Sequence, residues 1–204
     1  AIKLPGLTKV LVALFIFPLI GFASGFIFTR LIYFLAQHAT PRINDFFKRS
    51  QLVTAIILGL SHGTNDAQKS MGIIVLGLVI SGRLQSFEVP LWVTVASAAS
   101  MAIGTSLAGW KIIRTLGGKF YKIRPLHSFA TQLTSGIVIL SASFFGAPVS
   151  TSHVVSSAII GVGASERLSK VRWSVAGDIL TAWLITIPVS AAFAAGFYWL
   201  LTSL

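Results

Sequence analysis

Two short stretches hold the residues best suited to chemistry. One is Ser61-His62-Gly63-Thr64-Asn65-Asp66-Ala67-Gln68-Lys69-Ser70 and the other Pro148-Val149-Ser150-Thr151-Ser152-His153. Asn65 and Asp66 stand just before an apolar run that starts near Ala67, and predict a helix cap there. A helix N-terminus presents unpaired N–H groups and a partial positive charge, which together bind anions. In the second stretch Pro148 ends one segment, and Ser150, Thr151 and Ser152 open the next. Three hydroxyls there can donate to an oxyanion beside the backbone N–H groups. Asn65 and Gln68 would add amide donors. Asp66 is itself an anion, so its expected place is against a protonated ligand oxygen or a cation. His62 and His153 fit either packing or proton transfer. The same residue types could build a Ser-His-Asp hydrolase. No Gly-x-Ser-x-Gly elbow and no His-Glu-x-x-His pair occurs, however, and no enzyme is expected.

The elements that must position these stretches follow from composition. Of 204 residues 54% are hydrophobic and only 10% charged, against roughly 25% charged in soluble domains. So little charge cannot coat a soluble globule, and so much apolar surface excludes disorder. The expectation is an all-α integral membrane protein. The net charge of +11 is explained by basic loops on one side of a membrane, so no nucleic acid is expected. With no cysteine, thiol chemistry is absent. The first residue is Ala rather than Met, which is read as a fragment, a processed chain or one half of something larger.

Uncharged runs over Val10–Thr29, Val89–Trp110 and Ile179–Leu204 are each long enough for a span of roughly 20 residues. The stretch Gln51–Gly82 is apolar at both ends and polar in its middle. As one helix it would run about 48 Å, beyond a hydrocarbon core of about 30 Å. Gly, Thr, Asn and Asp favour caps and turns, so a break is expected at Gly63–Asp66. The arm Ser150–Gly163, about 21 Å long as a helix, is short for a span, and the region His127–Gly163 reads as a re-entrant hairpin broken at Gly146-Ala147-Pro148-Val149. The whole chain, 1–204, reads as a single transmembrane domain with spans near 10–36, 51–82, 89–110, 127–163 and 174–203.

This topology places twelve basic residues on one side (Arg30 and the loops around Arg42–Arg49, Lys111–Arg124 and Arg167–Arg172). Lys3, Lys9 and Arg83 fall on the other. The bias puts the basic loops in the cytoplasm. Lys69 and Asp66 remain at membrane depth, where ionisable groups are functional candidates. Thr40-Pro41 predicts the start of a short surface helix. Trp110–Arg124 predicts a segment lying at the interface. His38 and His127 read as interfacial, and Asp178 as a cap of the last span.

Both stretches, with Met71-Gly72-Ile73-Ile74 after the first and Val154–Ile159 after the second, resemble the inorganic phosphate transporter family in its bacterial form. Phe87–Trp92, Gly109–Thr115 and Val171-Arg172-Trp173 add to a resemblance covering essentially the whole chain. It implies symport of inorganic phosphate with Na⁺ or H⁺ across the bacterial cytoplasmic membrane, as a multi-pass protein. Family members have two related halves in inverted orientation, each with one motif of each kind. This chain has one of each and is similar to the C-terminal half, so the N-terminal inverted half is an expected partner, with membrane lipids and a homo-oligomer.

Phosphate would sit at Asn65, Asp66, Gln68, Ser150, Thr151 and Ser152. The coupling cation or proton would be carried by Asp66, His62 and His153, with Asp66 and Asn65 as candidate Na⁺ ligands. No cofactor beyond a coupling Na⁺ is implied. Two departures are noted: Thr64 where the family has Ala, and Lys69 where eukaryotic members have Asn, which weakens any transfer of cation ligands to that position. A related oxyanion such as sulfate, or a non-transporting scaffold or sensor, are the competing readings.

Overall fold

In a computed structural model, residues 4–118 and 123–202 are described. Among them six α-helices and one short 3₁₀ turn occur and no strand. They are α1 (Leu4–Leu35), α2 (Ile43–Ile80), α3 (Leu91–Gly118), α4 (Pro125–Phe144), α5 (Thr151–Glu166), the turn Leu168–Lys170, and α6 (Trp173–Thr202). An all-helical chain is what a bilayer demands, because each helix satisfies its own backbone. Thr8–Leu35 and Trp173–Thr202 are long and apolar enough to cross a membrane. Many of their large side chains point outward; Leu19, Phe34, Phe193 and Leu201 are each about two-thirds exposed or more.

The short helix α5 lies at the centre, against both α1 and α4. In turn α2 packs on α4, and α3 on α2. The α1–α5 crossing is set by small residues. A methyl on Gly25 would lie 2.7 Å from the Ala158 carbonyl oxygen, and one on Gly161 would overlap the Phe22 carbonyl. Such backbone-to-backbone approach is how helices associate where lipid offers no hydrophobic drive. Either side of this crossing lie two apolar clusters. Val138, Ile139, Ala142, Val149 and Val154 pack at the Ser150 end. Ile32, Phe47, Ala130 and Val162 pack at the Glu166 end, where Phe47 and Phe129 rings meet at 5.3 Å. Within α6, Val175 and Ile179 pack on Ile159, and most of the helix is exposed.

Three expectations are corrected. The break expected at Gly63–Asp66 does not occur; α2 is one helix of 38 residues, about 57 Å long. Its polar residues do not compete with the helix backbone for N–H groups. Ser61 Oγ donates back to the Ile57 carbonyl at 2.6 Å and Ser70 Oγ to that of Asp66 at 3.3 Å. Asn65 and Asp66 bond sideways to α5 and its preceding turn instead of capping. The surface helix expected from Thr40-Pro41 is not separate. Those residues form a turn, with the Ile43 and Asn44 N–H groups donating to the carbonyls of Thr40 and Pro41, that leads directly into α2. The interfacial segment expected from Trp110 is a continuation of α3 through Gly118; residues 119–122 of that expectation lie outside the described residues. The interruption expected at 146–149 is present between α4 and α5.

Candidate functional site

The α4–α5 turn is built by Gly146 and Pro148. Gly146 has φ +64°, a left-handed conformation that only glycine adopts without strain. It ends α4 with the Ala147 N–H donating to the Ala142 carbonyl at 2.8 Å, as helix C-termini commonly do. Pro148 keeps the preceding residue out of the helical region. Val149 is buried, and α5 starts after Ser150. The Ser150 backbone is extended and its hydroxyl makes no capping bond. The first N–H groups of α5 are therefore not claimed by that side chain, and the end of the helix keeps its electropositive character. Ser150 Oγ instead lies 3.2 Å from Ser152 Oγ.

Across from this tip, α2 presents one face. His62, Asn65, Asp66 and Lys69 are spaced by three and four residues, so they project together. Asp66 is the hub. Its Oδ1 accepts from Asn65 Nδ2 at 2.9 Å and from Lys69 Nζ at 3.1 Å. Its Oδ2 accepts from Thr151 Oγ1 at 3.2 Å and lies 3.3 Å from His62 Nδ1. Thr151 has a single hydroxyl proton and gives it to Asp66. His62 Nδ1 lies 2.9 Å from Thr151 Oγ1, and with the Thr151 proton on Asp66 it is the donor in that contact.

The Val149 carbonyl accepts from both Asn65 Nδ2, at 3.2 Å, and Lys69 Nζ. Asn65 Oδ1 accepts from Ser143 Oγ at 3.4 Å. A cavity of about 350 Å³ opens beside these groups, walled by Val10 and Leu14 of α1, Asp66 and Lys69 of α2, and residues 148–152. Hydroxyls, a helix tip and an ammonium thus share one pocket with a single, already compensated carboxylate. That combination can receive an oxyanion.

The structure brings together Asn65, Asp66, His62 and Thr151 by direct bonds, and Ser150 and Ser152 through the cavity wall. Two expected residues are not brought in. Gln68 is exposed and is absent from the cavity wall, because it sits off the face shared by 62, 66 and 69. His153 stacks on Trp183 of α6, ring centroids 3.9 Å apart, and not on Asp66; position 153 lies on the α6 side of α5, two residues past the Thr151 that meets Asp66. Lys69, expected only as an ionisable group at membrane depth and given no binding role, joins Asp66 here; the Val149 carbonyl and Ser143 were not expected in the site. The three-residue offset of Lys69 from Asp66 is the sequence signal for the first; a backbone carbonyl leaves no such signal.

A second polar cluster occupies the other end of α5. Glu166 Oε1 accepts from Lys170 Nζ at 2.5 Å and lies 3.8 Å from Arg124, while Oε2 lies 3.6 Å from His127 Nε2. Tyr33 Oη is 3.0 Å from the same histidine nitrogen. The backbone N–H of Arg124 donates to His127 Nδ1 at 3.2 Å, closing the start of α4. His127, expected at the interface, is fully buried because it ties α1, α4 and α5 together. Burial alone would raise the Glu166 pKa. The Lys170 hydrogen bond and charge, then the charges of His127 and Arg124, outweigh it and hold the carboxyl below its ordinary value. Among the described residues no group of three metal-ligating side chains occurs.

With this geometry established, the chain can be set beside known proteins. The profile described as the Phosphate transporter family matches residues 1–194. The chain is 42% identical over 203 residues to the "probable low-affinity inorganic phosphate transporter" of Bacillus subtilis (strain 168), covering 98% of this chain and 61% of the relative. It is 41% identical over 192 residues to the protein of the same name from Rhizobium meliloti (strain 1021), covering 93% and 58%. A solved structure titled "The sodium-dependent phosphate transporter" is similar with a TM-score of 0.71 at 28% identity, covering 79% of this chain and 41% of that one. The chain therefore spans about three-fifths or less of the length of these proteins. The names they carry are those of transporters and not of enzymes.

Proposed function

This chain belongs to the phosphate transporter family, and on that premise we propose that it is one inverted half of a cation-coupled symporter of inorganic phosphate. The carrying observation is the uncapped tip of α5 facing the compensated Asp66. Phosphate oxygens would accept from the Ser150 and Ser152 hydroxyls and from the first N–H groups of α5. A protonated phosphate oxygen would donate to Asp66, which relieves the like-charge contact. Asn65 holds Asp66 and the Val149 carbonyl in place and supports the site without reaching the anion. The α4–α5 pair is a hairpin that enters and leaves the membrane on the basic side, and alternating access is a rocking of this half against its inverted counterpart. The protein is placed in the cytoplasmic membrane, with its basic loops inside, and a homo-oligomer is part of the same reading.

One observation favours protons over Na⁺. Lys69 Nζ sits between Asp66 Oδ1 and the Val149 carbonyl, occupying the place where a cation shared by those two oxygens would lie. A Na⁺ bound to Asp66 Oδ1 and the Val149 carbonyl would have to displace that ammonium. The chain's own fixed cation takes the place, and the mobile charge is a proton shared between Asp66 and phosphate. The test is uptake of labelled phosphate into proteoliposomes of the full-length transporter under separate Na⁺ and H⁺ gradients. The H⁺ gradient alone is expected to drive uptake, with Lys69→Gln acquiring a Na⁺ requirement. Uptake by the wild type only with Na⁺ would contradict the fixed-cation reading. No phosphate uptake under either gradient would contradict the symporter reading itself.

A further inference from the structure

The Glu166 end of α5 holds a cavity that the transport reading does not use. It is an open depression of about 650 Å³ beside Arg30, Tyr33, Phe34, Ser165 and Glu166. Three cations gather here, Arg30, Arg124 and Lys170, against the one carboxylate of Glu166. These four groups alone sum to +2. Arg124 and Lys170 both reach Glu166. Arg30 does not: its guanidinium lies over the Phe26 ring, 5.6 Å from the centroid, and meets no carboxylate among the described residues. An arginine on the wall of a cavity, held by an aromatic face and left without an acid, is a receptor for an anion that is not part of the chain.

The depth of the cavity narrows the choice. Arg30 follows directly on the uncharged run Val10–Thr29 and is followed by Tyr33 and Phe34. Basic and aromatic side chains at the end of a span mark the headgroup level of a bilayer. The α5 C-terminus carries a partial negative charge of about half a unit, smaller than the excess of +2. Tyr33, on the cavity wall, is anchored by its 3.0 Å contact with the buried His127.

We propose that this cavity binds a phosphate group, carried by an anionic phospholipid or present as inorganic phosphate, with Arg30 as its primary contact and Lys170 and Arg124 sharing their charge between it and Glu166. The inference stands on a different end of the molecule from the transport site and does not rest on the symporter reading. It is tested by native mass spectrometry of the full-length transporter in detergent, titrated with phosphatidylglycerol or phosphatidylcholine in one arm and with inorganic phosphate in the other. Arg30→Gln is compared with Arg30→Lys; neither touches the Tyr33–His127 or Glu166–Lys170 bonds, and a thermal melt confirms folding.

Phosphatidylglycerol is expected to be retained over phosphatidylcholine, with Arg30→Gln weakening it about tenfold and Arg30→Lys less, the loss of one charge-assisted fork. Displacement of the lipid by inorganic phosphate, in an Arg30-dependent way, would identify free phosphate as a second source of the same group. Equal retention of the two lipids, together with phosphate binding indifferent to Arg30, would overturn the proposal.

Discussion

The two ends of α5 carry similar parts and differ in what supplies their charge. Each has one carboxylate, a histidine, and a lysine three or four residues after the acid: Asp66, His62 and Lys69 at one end, Glu166, His127 and Lys170 at the other. At the Asp66 end the helix presents its N-terminus and three hydroxyls, so backbone dipoles and fixed donors set the field. At the Glu166 end it presents its C-terminus, which disfavours an acid, and the compensation comes from side chains at the start of α4 and in the 168–170 turn. In the proposed reading the first arrangement receives an anion without reorganising. The second is a clasp joining α1, α4 and α5, with charge left over. The same residue types make a receptor or a clasp according to which end of a helix they meet.

Removing each acid in turn breaks the comparison most sharply. Asp66→Asn is expected to reduce gradient-driven phosphate uptake by about a hundredfold or more, the scale of a lost proton-transfer group. Membrane insertion and Arg30-dependent lipid retention should be unchanged. Near-normal uptake by this variant would remove Asp66 from the mechanism. A smaller effect is expected from Ser150→Ala combined with Thr151→Val, which takes donors from the receptor end. The apparent KM for phosphate should rise about tenfold, with the melting temperature within a few degrees of wild type. An unchanged KM would assign these hydroxyls to packing.

The smallest effect belongs to the clasp. Glu166 lies beyond the 127–163 hairpin, and its carboxyl is held below its ordinary pKa. Its contribution to stability is therefore present above the ordinary carboxylate range and is lost as pH falls through the depressed value. Thermal melts from neutral to acidic pH should show that loss in the wild type and not in Glu166→Gln. Transport at neutral pH by this variant should stay close to wild type.

Much of this architecture is legible in the sequence. The uncharged runs mark α1, α3 and α6, and Gly146 with Pro148 marks the turn into α5, because charge deficit and turn chemistry are local properties. The continuity of α2 is not legible. Asn65 and Asp66 have the residue types of a cap, and only the arrival of the Val149 carbonyl and Thr151 from α5 lets them bond sideways and leave the helix intact. The candidate site is marked in the sequence by residue type, through Asn65, Asp66 and Ser150–Ser152. Sorting it needed the fold: the face of α2 excludes Gln68, and Trp183 of α6 claims His153. The Glu166 clasp draws on Tyr33, Arg124, His127 and Lys170, separated by up to 137 positions in the chain; no spacing rule reaches so far.

Where the anion sits can be read directly, because the chain contains no cysteine. A single cysteine at Ser152, on the cavity wall, is placed in a full-length transporter freed of other reactive thiols, and its modification by a charged methanethiosulfonate reagent is timed. Inorganic phosphate, and not chloride, is predicted to slow that reaction, while a cysteine at the exposed Gln68 reacts at the same rate with or without phosphate. Equal rates at Ser152 in phosphate and chloride, from a protein that still transports phosphate, would contradict a binding site at the tip of α5.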